Sequence, residues 1–158
     1  MNKNIETSFS CSFLNLGTDL LESGHLLDIK TTGESMFPEF RPGDIVRIKK
    51  ESSFNINKGD VVVYKTDKCF IAHRVIKKFN IGKELYFITK GDSNRFRDNP
   101  INYNNILGKI IIRKRNNKII CFDNINIYLR NKIIALLSLY FPNVYNIYIK
   151  AYKHFLTY

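Results

Sequence analysis

Ser35 lies in Gly33-Glu34-Ser35-Met36-Phe37-Pro38, with Arg41-Pro42-Gly43-Asp44 shortly after it. A serine bracketed by glycine and proline, between the apolar run Leu26 to Ile29 and the strand-like Ile45 to Ile48, has its hydroxyl presented rather than packed. That makes it a candidate nucleophile, but a weak one unless a base takes its proton and a third group orients the base. Two later stretches offer such groups. Ile71-Ala72-His73-Arg74-Val75-Ile76 puts a histidine in a strand-like run, and Thr89-Lys90-Gly91-Asp92-Ser93-Asn94, with Asp98 beyond it, offers two carboxylates in a turn-forming segment. Free imidazole titrates at about 6.5, so a histidine can accept a serine proton near neutrality and return it to a leaving amine. A lysine needs deep desolvation to do the same. Arg74, next to His73 on a strand, points to the opposite face.

The elements that must position these groups read as mostly antiparallel β. Leu26 to Thr31 and Asp44 to Lys49 are the strands entering and leaving the serine turn. Asn57-Lys58-Gly59-Asp60 is a turn that launches Val61-Val62-Val63-Tyr64, a run too uniformly β-branched for anything but a buried strand. Phe70 to Phe79 and Leu85 to Thr89 form a hairpin around Asn80 to Lys83, and Ile106 to Arg113 pairs with Lys118 to Phe122 around Asn116-Asn117. The asparagine-rich loop from Asp98 to Asn105 is expected to be mobile. Apolar positions from Phe13 to Leu21 suit a short N-terminal helix ending at Gly24.

From Asn124 onward there is no Asp or Glu, and the apolar spacing becomes helical. Leu129, Ile133, Leu136, Leu137 and Tyr140 define one helix; beyond the breaker Pro142, Val144, Tyr148, Tyr152 and Phe155 define the apolar face of a second. The expected division is a β core over residues 1–123 and a basic helical appendage over 124–158.

The 158 residues suit one domain, and a net charge of +11 points to an anionic partner: nucleic acid, a membrane surface or an acidic peptide. Cys11, Cys69 and Cys121 have neither metal-site nor redox spacing, so no metal and no disulfide framework is expected, and all three read as small buried hydrophobes. No cofactor motif is present. The N-terminal stretch has no signal-peptide pattern, and no apolar run approaches the roughly 20 residues of a bilayer span. The expected location is therefore cytoplasmic or peripheral at a membrane.

Gly33-x-Ser35-Met36-x-Pro38, Gly43-Asp44, Gly59-Asp60-Val61-Val62, His73-Arg74-Val75 and Lys90-Gly91-Asp92-x-Asn94 resemble, in order and spacing, the boxes of the type I signal peptidase superfamily. The similarity is to the Ser-His branch of the endoplasmic reticulum, archaea and some spore-forming bacteria. It covers roughly Thr31 to Gly108, and the chain looks like anchorless bacterial relatives. The resemblance implies a coiled antiparallel β fold and a serine endopeptidase acting on leader or signal-type peptides. In it Ser35 is the nucleophile, His73 the general base and Asp98 the residue that orients the base. Gly33, Ser35 and Met36 would form the oxyanion and substrate edge, Asp92 and Asn94 would shape the loop, and Gly108 matches the glycine of the final core strand. Some members carry a hydroxyl two residues before the nucleophile, where this chain has Gly33.

Two other classes compete with this reading. A basic β protein with a vestigial site could bind peptide or nucleic acid, although no nucleic-acid-binding motif is present. A self-cleaving repressor of the same superfamily would use a lysine base and carry an N-terminal DNA-binding domain, and neither is read in the chain. The second C-terminal helix, with Asn146, Lys150, Lys153 and Thr157 opposite its apolar positions, suits an anionic membrane surface.

Overall fold

The computed structural model describes residues 3–66 and 69–156. Helix α1 (Lys3–Glu22) leads into strands β1 (Leu27–Lys30), β2 (Ile45–Lys49), β3 (Val61–Lys65), β4 (Phe70–Ile81), β5 (Glu84–Lys90), β6 (Ile101–Asn102), β7 (Ile106–Arg115) and β8 (Lys118–Cys121). Helices α2 (Ile125–Tyr140) and α3 (Pro142–Leu156) follow. The strands form one antiparallel sheet in the order β1-β2-β7-β3-β4-β5-β6, with β8 added to β7, and the sheet curls into a half-barrel. The mainly β architecture with one N-terminal and two C-terminal helices is the one expected from sequence.

Burial on both faces of the sheet explains the unbroken apolar run of β3. Val61 and Val63 join Leu21, Phe40, Val46 and Ile48 on one side, while Val62 joins Ile56, Val75, Phe87 and Ile106 on the other. Gly108 lies where β7 runs against β2: a Cβ there would stand 2.4 Å from the Lys49 carbonyl oxygen. Leu14 and Leu21 of α1 are buried, and the helix, longer than the apolar spacing predicted, lies along β1 and β7.

Two of the sheet's open backbone edges lie on β1 and on the start of β4. β1 pairs only with β2, and Phe70 to His73 of β4 pair with β3 but not with β5, whose register starts at Arg74 opposite Lys90.

Several expectations need correction. The loop predicted to be mobile is tied down. Ile101–Asn102 pair with Tyr86 and Phe87, the Asp98 N–H donates to the Thr89 carbonyl at 2.8 Å, and the Tyr103 hydroxyl donates to the Glu51 carbonyl at 2.9 Å. Cys69 and Cys121 are exposed, because one sits in the β3–β4 hairpin and the other ends the edge strand β8; the Cys11 side chain lies outside the described residues.

The C-terminal helices face differently from their apolar spacing. Asn124 caps α2, accepting the Asn126 N–H at 2.9 Å, and Pro142 starts α3. The buried residues of α2 are Asn131, Ala135 and Ser138, while Leu129, Ile133, Leu136, Leu137 and Tyr140 are exposed. On α3 the core-facing residues are Tyr145 and Ile149, packed on Phe37 with Tyr152 beside them, whereas Val144 and Tyr148 are exposed. The buried stripe of α3 is thus one residue off the predicted one. The side chains of Asn146 and Phe155, and all of Thr157, lie outside the described residues.

Candidate active site

The serine turn is held at its base and from the side. Thr31 donates its N–H to the Asp44 carbonyl at 2.8 Å, and the Asp44 carboxylate receives the Arg41 N–H at 2.9 Å and a two-pronged bond from Arg115 at 2.7 Å each. Burial works against the Asp44 charge, but Arg115 and the Arg41 N–H outweigh it and keep the carboxyl below its ordinary range. Met36 is buried in the core beneath the turn, which leaves Ser35 half-buried above it.

From the other side comes the 91–94 loop. The Ser93 N–H donates to the Ser35 carbonyl at 2.8 Å and the Ser93 hydroxyl to the Glu34 carbonyl at 2.6 Å. Residue 91 must be glycine for this approach, because a Cβ there would stand 2.7 Å from the Ser35 carbonyl oxygen and 2.8 Å from the Asn94 amide group. Asn94 closes the loop by donating its N–H to the Gly91 carbonyl at 3.0 Å.

Strand β4 serves the site with two consecutive residues on opposite faces. Arg74 turns inward: its Nε and Nη2 donate to the two Asp92 oxygens at 2.8 and 2.6 Å, and its Nη1 donates to the Gly59 carbonyl at 2.8 Å. Both partners are buried, and although burial opposes the Arg74 charge, Asp92 and Glu39 keep the guanidinium protonated. Asp92 therefore fastens the loop that reaches Ser35. Removing one member of a buried pair strands the other, at about 3–5 kcal/mol. Asp92→Ala is expected to lose that much stability in urea unfolding; a loss under about 1 kcal/mol, the scale of a surface pair, would mean that the loop is held by other contacts.

His73 turns to the other face. Its Nε2 lies 3.1 Å from the Ser35 hydroxyl, and its Nδ1 lies 2.6 Å from Asp98 Oδ2. The same Oδ2 accepts the Thr89 hydroxyl at 2.6 Å and the Tyr64 hydroxyl at 3.4 Å. Burial alone would raise the Asp98 carboxyl, but these bonds, His73 first, hold it below its ordinary range. Burial and the neighbouring Asp98 push the Tyr64 hydroxyl up to about 12, so it stays a donor.

The structure thus brings Ser35, His73 and Asp98 into one hydrogen-bonded line, with Gly33 and Met36 beside the serine and Asp92 and Asn94 in the supporting loop. Tyr64 and Thr89 were missed by the sequence reading. The signal for Thr89 was faint: it belongs to the strand that feeds the loop. Lys90, a lysine of the same loop-forming stretch, directs its Nζ to the Gly91 carbonyl at 3.3 Å and over the Tyr145 ring; burial pushes its ammonium below the usual range.

Two clefts meet at Ser35. One, of about 500 Å³, is mainly apolar and runs between the open edges of β1 and β4, with Ile29, Met36, Val46, Ile48, Phe70 and Ala72 among its lining residues. The other, of about 810 Å³, is the more polar of the two and carries Ser93, Asn94, Arg95 and, from α3, Asn143 and Lys150 beside Ile147 and Ile149. Lys153 of α3 pairs with Glu34 at 2.6 Å, next to the serine.

This scaffold, an antiparallel half-barrel presenting a serine to a histidine along open strand edges, agrees with what the comparisons return. Residues 4–111 match the Peptidase S24-like family, and the chain belongs to that family. It is similar to the signal peptidase complex catalytic subunit SEC11 of Chaetomium globosum, 34% identical over 70 residues that make up 42% of this chain and 41% of that protein. It is also similar to signal peptidase I W of Bacillus subtilis, 33% identical over 75 residues, 46% of this chain and 40% of that protein. The matched stretch is about two-fifths of each relative.

Proposed function

We propose that the protein is a serine endopeptidase in which Ser35 attacks the scissile carbonyl of an extended peptide. His73 takes the hydroxyl proton as the Ser35 oxygen bonds to the carbonyl carbon, and returns it to the leaving amine as the peptide C–N bond breaks. Water, deprotonated by the same imidazole, then releases the acyl group from Ser35. Asp98 keeps Nδ1 protonated, so that Nε2 faces Ser35 as the acceptor, and it stabilises the imidazolium formed in each step. The contact series from Ser35 through His73 to Asp98 carries this reading.

The substrate would add as a strand between the open edges of β1 and β4, its backbone bonding to those edges and its apolar side chains entering the apolar cleft. The part beyond the cut would cross the polar cleft beneath α3. That division, apolar before the cut and polar after it, suits leader or signal-type peptides, and the signal peptidases among the relatives support the same class. Incubating the protein with a peptide library and reading new termini by mass spectrometry tests the proposal: cuts should follow apolar stretches and vanish in Ser35→Ala. Identical patterns from both proteins would end the enzyme reading.

The place of action is proposed to be an anionic membrane surface. Among the described residues no helix is long and apolar enough to cross a bilayer. Yet α2 presents Ile125, Leu129, Ile133, Leu136 and Tyr140 to solvent while burying Asn131 and Ser138, the reverse of a helix that ends at water. Lys132 borders that face, and tyrosines suit the headgroup region. Leu129→Glu with Ile133→Glu should abolish flotation with vesicles containing phosphatidylglycerol while leaving cleavage of a short soluble peptide intact. Unchanged flotation would remove the membrane role.

A further inference from the structure

Behind the serine turn, between α2, α3 and β7, lies a third cleft of about 510 Å³ that peptide cleavage does not use. Arg113 and Arg115 of β7 and Arg130 of α2 line it together with Glu39, and Leu137, Phe141, Val144 and Tyr148 form an exposed apolar rim.

The charges inside it do not balance. Arg115 is matched by Asp44, and Asp92 by Arg74. Glu39 is shared by Arg113 and Arg130, accepting from Arg113 Nη1 at 3.2 Å and from Arg130 Nη2 at 2.5 Å, and it also lies 3.9 Å from the Arg74 guanidinium that Asp92 matches. One positive charge is therefore left over. Burial, with Arg115 and Arg130 close by, outweighs Glu39 and pushes the Arg113 guanidinium below its usual range. The Nε atoms of Arg113 and Arg130 are buried with no hydrogen-bond partner, in a place where a buried donor ordinarily finds an acceptor.

A ligand suited to this cleft has oxygen acceptors carrying negative charge at one end and an apolar body at the other. We propose that it seats the phosphate headgroup of an anionic lipid, with Arg113 and Arg130 donating to the phosphate oxygens and the acyl chains lying along Leu137, Phe141, Val144 and Tyr148. The apolar rim runs on into the exposed face of α2, so a lipid held there stays within a leaflet. This rests on the membrane-surface reading above and adds a defined headgroup site to it.

The test uses the full chain and dihexanoylphosphatidylglycerol below its micelle concentration, so that no bilayer is needed. Calorimetric titration should show binding at least about tenfold tighter than that of dihexanoylphosphatidylcholine or of inorganic phosphate. Arg130→Gln should weaken it at least about tenfold, the worth of one hydrogen bond to a charged group, while Lys132→Gln, outside the cleft, should not. Should Arg130→Gln fail to fold, Leu137→Glu, which sets a carboxylate on the rim, should give the same loss. Equal losses in Arg130→Gln and Lys132→Gln would overturn the proposal in favour of diffuse charge attraction. Inorganic phosphate binding as tightly as the lipid would overturn it in favour of a plain anion site. Protein that floats on phosphatidylglycerol vesicles but ignores the soluble lipid keeps the membrane reading and loses the site. Protein that binds the soluble lipid but never floats keeps the site and loses the membrane reading.

Discussion

Ser35→Ala and His73→Ala are each expected to lower kcat/KM for peptide cleavage by about 10⁴-fold or more, and the double variant to lose little beyond either single one. The 3.1 Å contact between the Ser35 hydroxyl and His73 Nε2 makes the two a unit: an imidazole with no hydroxyl to activate, or a hydroxyl with no acceptor, is equally idle. Losses that multiply in the double variant would argue against the shared proton. A histidine base acts only as neutral imidazole, since only that form can take the serine proton. A rate still climbing above about pH 9 would instead implicate a lysine, whose reference value is about 10.4. His73→Lys should not restore activity, because the Asp98 carboxylate that meets Nδ1 would hold its ammonium charged.

Where a single physical rule governs a segment, the sequence was readable. The β-branched run from Val61 to Tyr64 has to be buried on both sides, and it is; alternation on β4 puts His73 and Arg74 on opposite faces, and the structure gives them opposite tasks. The spacing of Ser35, His73 and the loop after Thr89 was legible through ordered boxes. Long-range partners were not. Nothing local in Tyr64 marks it as a donor to a carboxylate 34 residues away, and nothing in Arg74 named Asp92 as its counterion.

The outward face of α2 was not legible for a related reason. Apolar spacing locates a helical stripe but does not say what covers it, and here Asn131 and Ser138 face the protein while Leu129 and Ile133 face out. The asparagine-rich loop shows the opposite failure: its composition suggests mobility, yet Ile101 and Tyr103 dock on the Val62 cluster, and that docking fixes the segment just after Asp98.

Asp98→Asn is expected to lower kcat by up to about 10⁴ while leaving KM nearly unchanged, because it acts on the imidazole rather than on the substrate cleft. In the native protein the carboxylate receives the Nδ1 proton at 2.6 Å, so Nε2 is left as the acceptor facing Ser35. Only an amide that turned its nitrogen to Nδ1 would reverse this, placing the ring proton on Nε2, which could then accept none from Ser35. Thr89 and Tyr64 donate to the same Oδ2 that His73 meets, so they favour the amide oxygen there; the tautomer is then kept, and what Asp98→Asn loses is the negative charge that stabilises the imidazolium. The stability change has a sign that can be checked separately. The Asp98 carboxyl is held below its unfolded value, so its ionised form stabilises the native state above about pH 3.9, and that contribution fades as pH falls through the lower native value. Wild type should therefore be the more stable protein at neutral pH, and the gap to Asp98→Asn should narrow on acidification below about pH 4. Urea unfolding across that range, beside kcat and KM measured at neutral pH, checks both halves. A variant that keeps its kcat would mean that His73 is oriented without Asp98, and a stability gap that widens in acid would mean that the carboxyl is not ionised in the native protein.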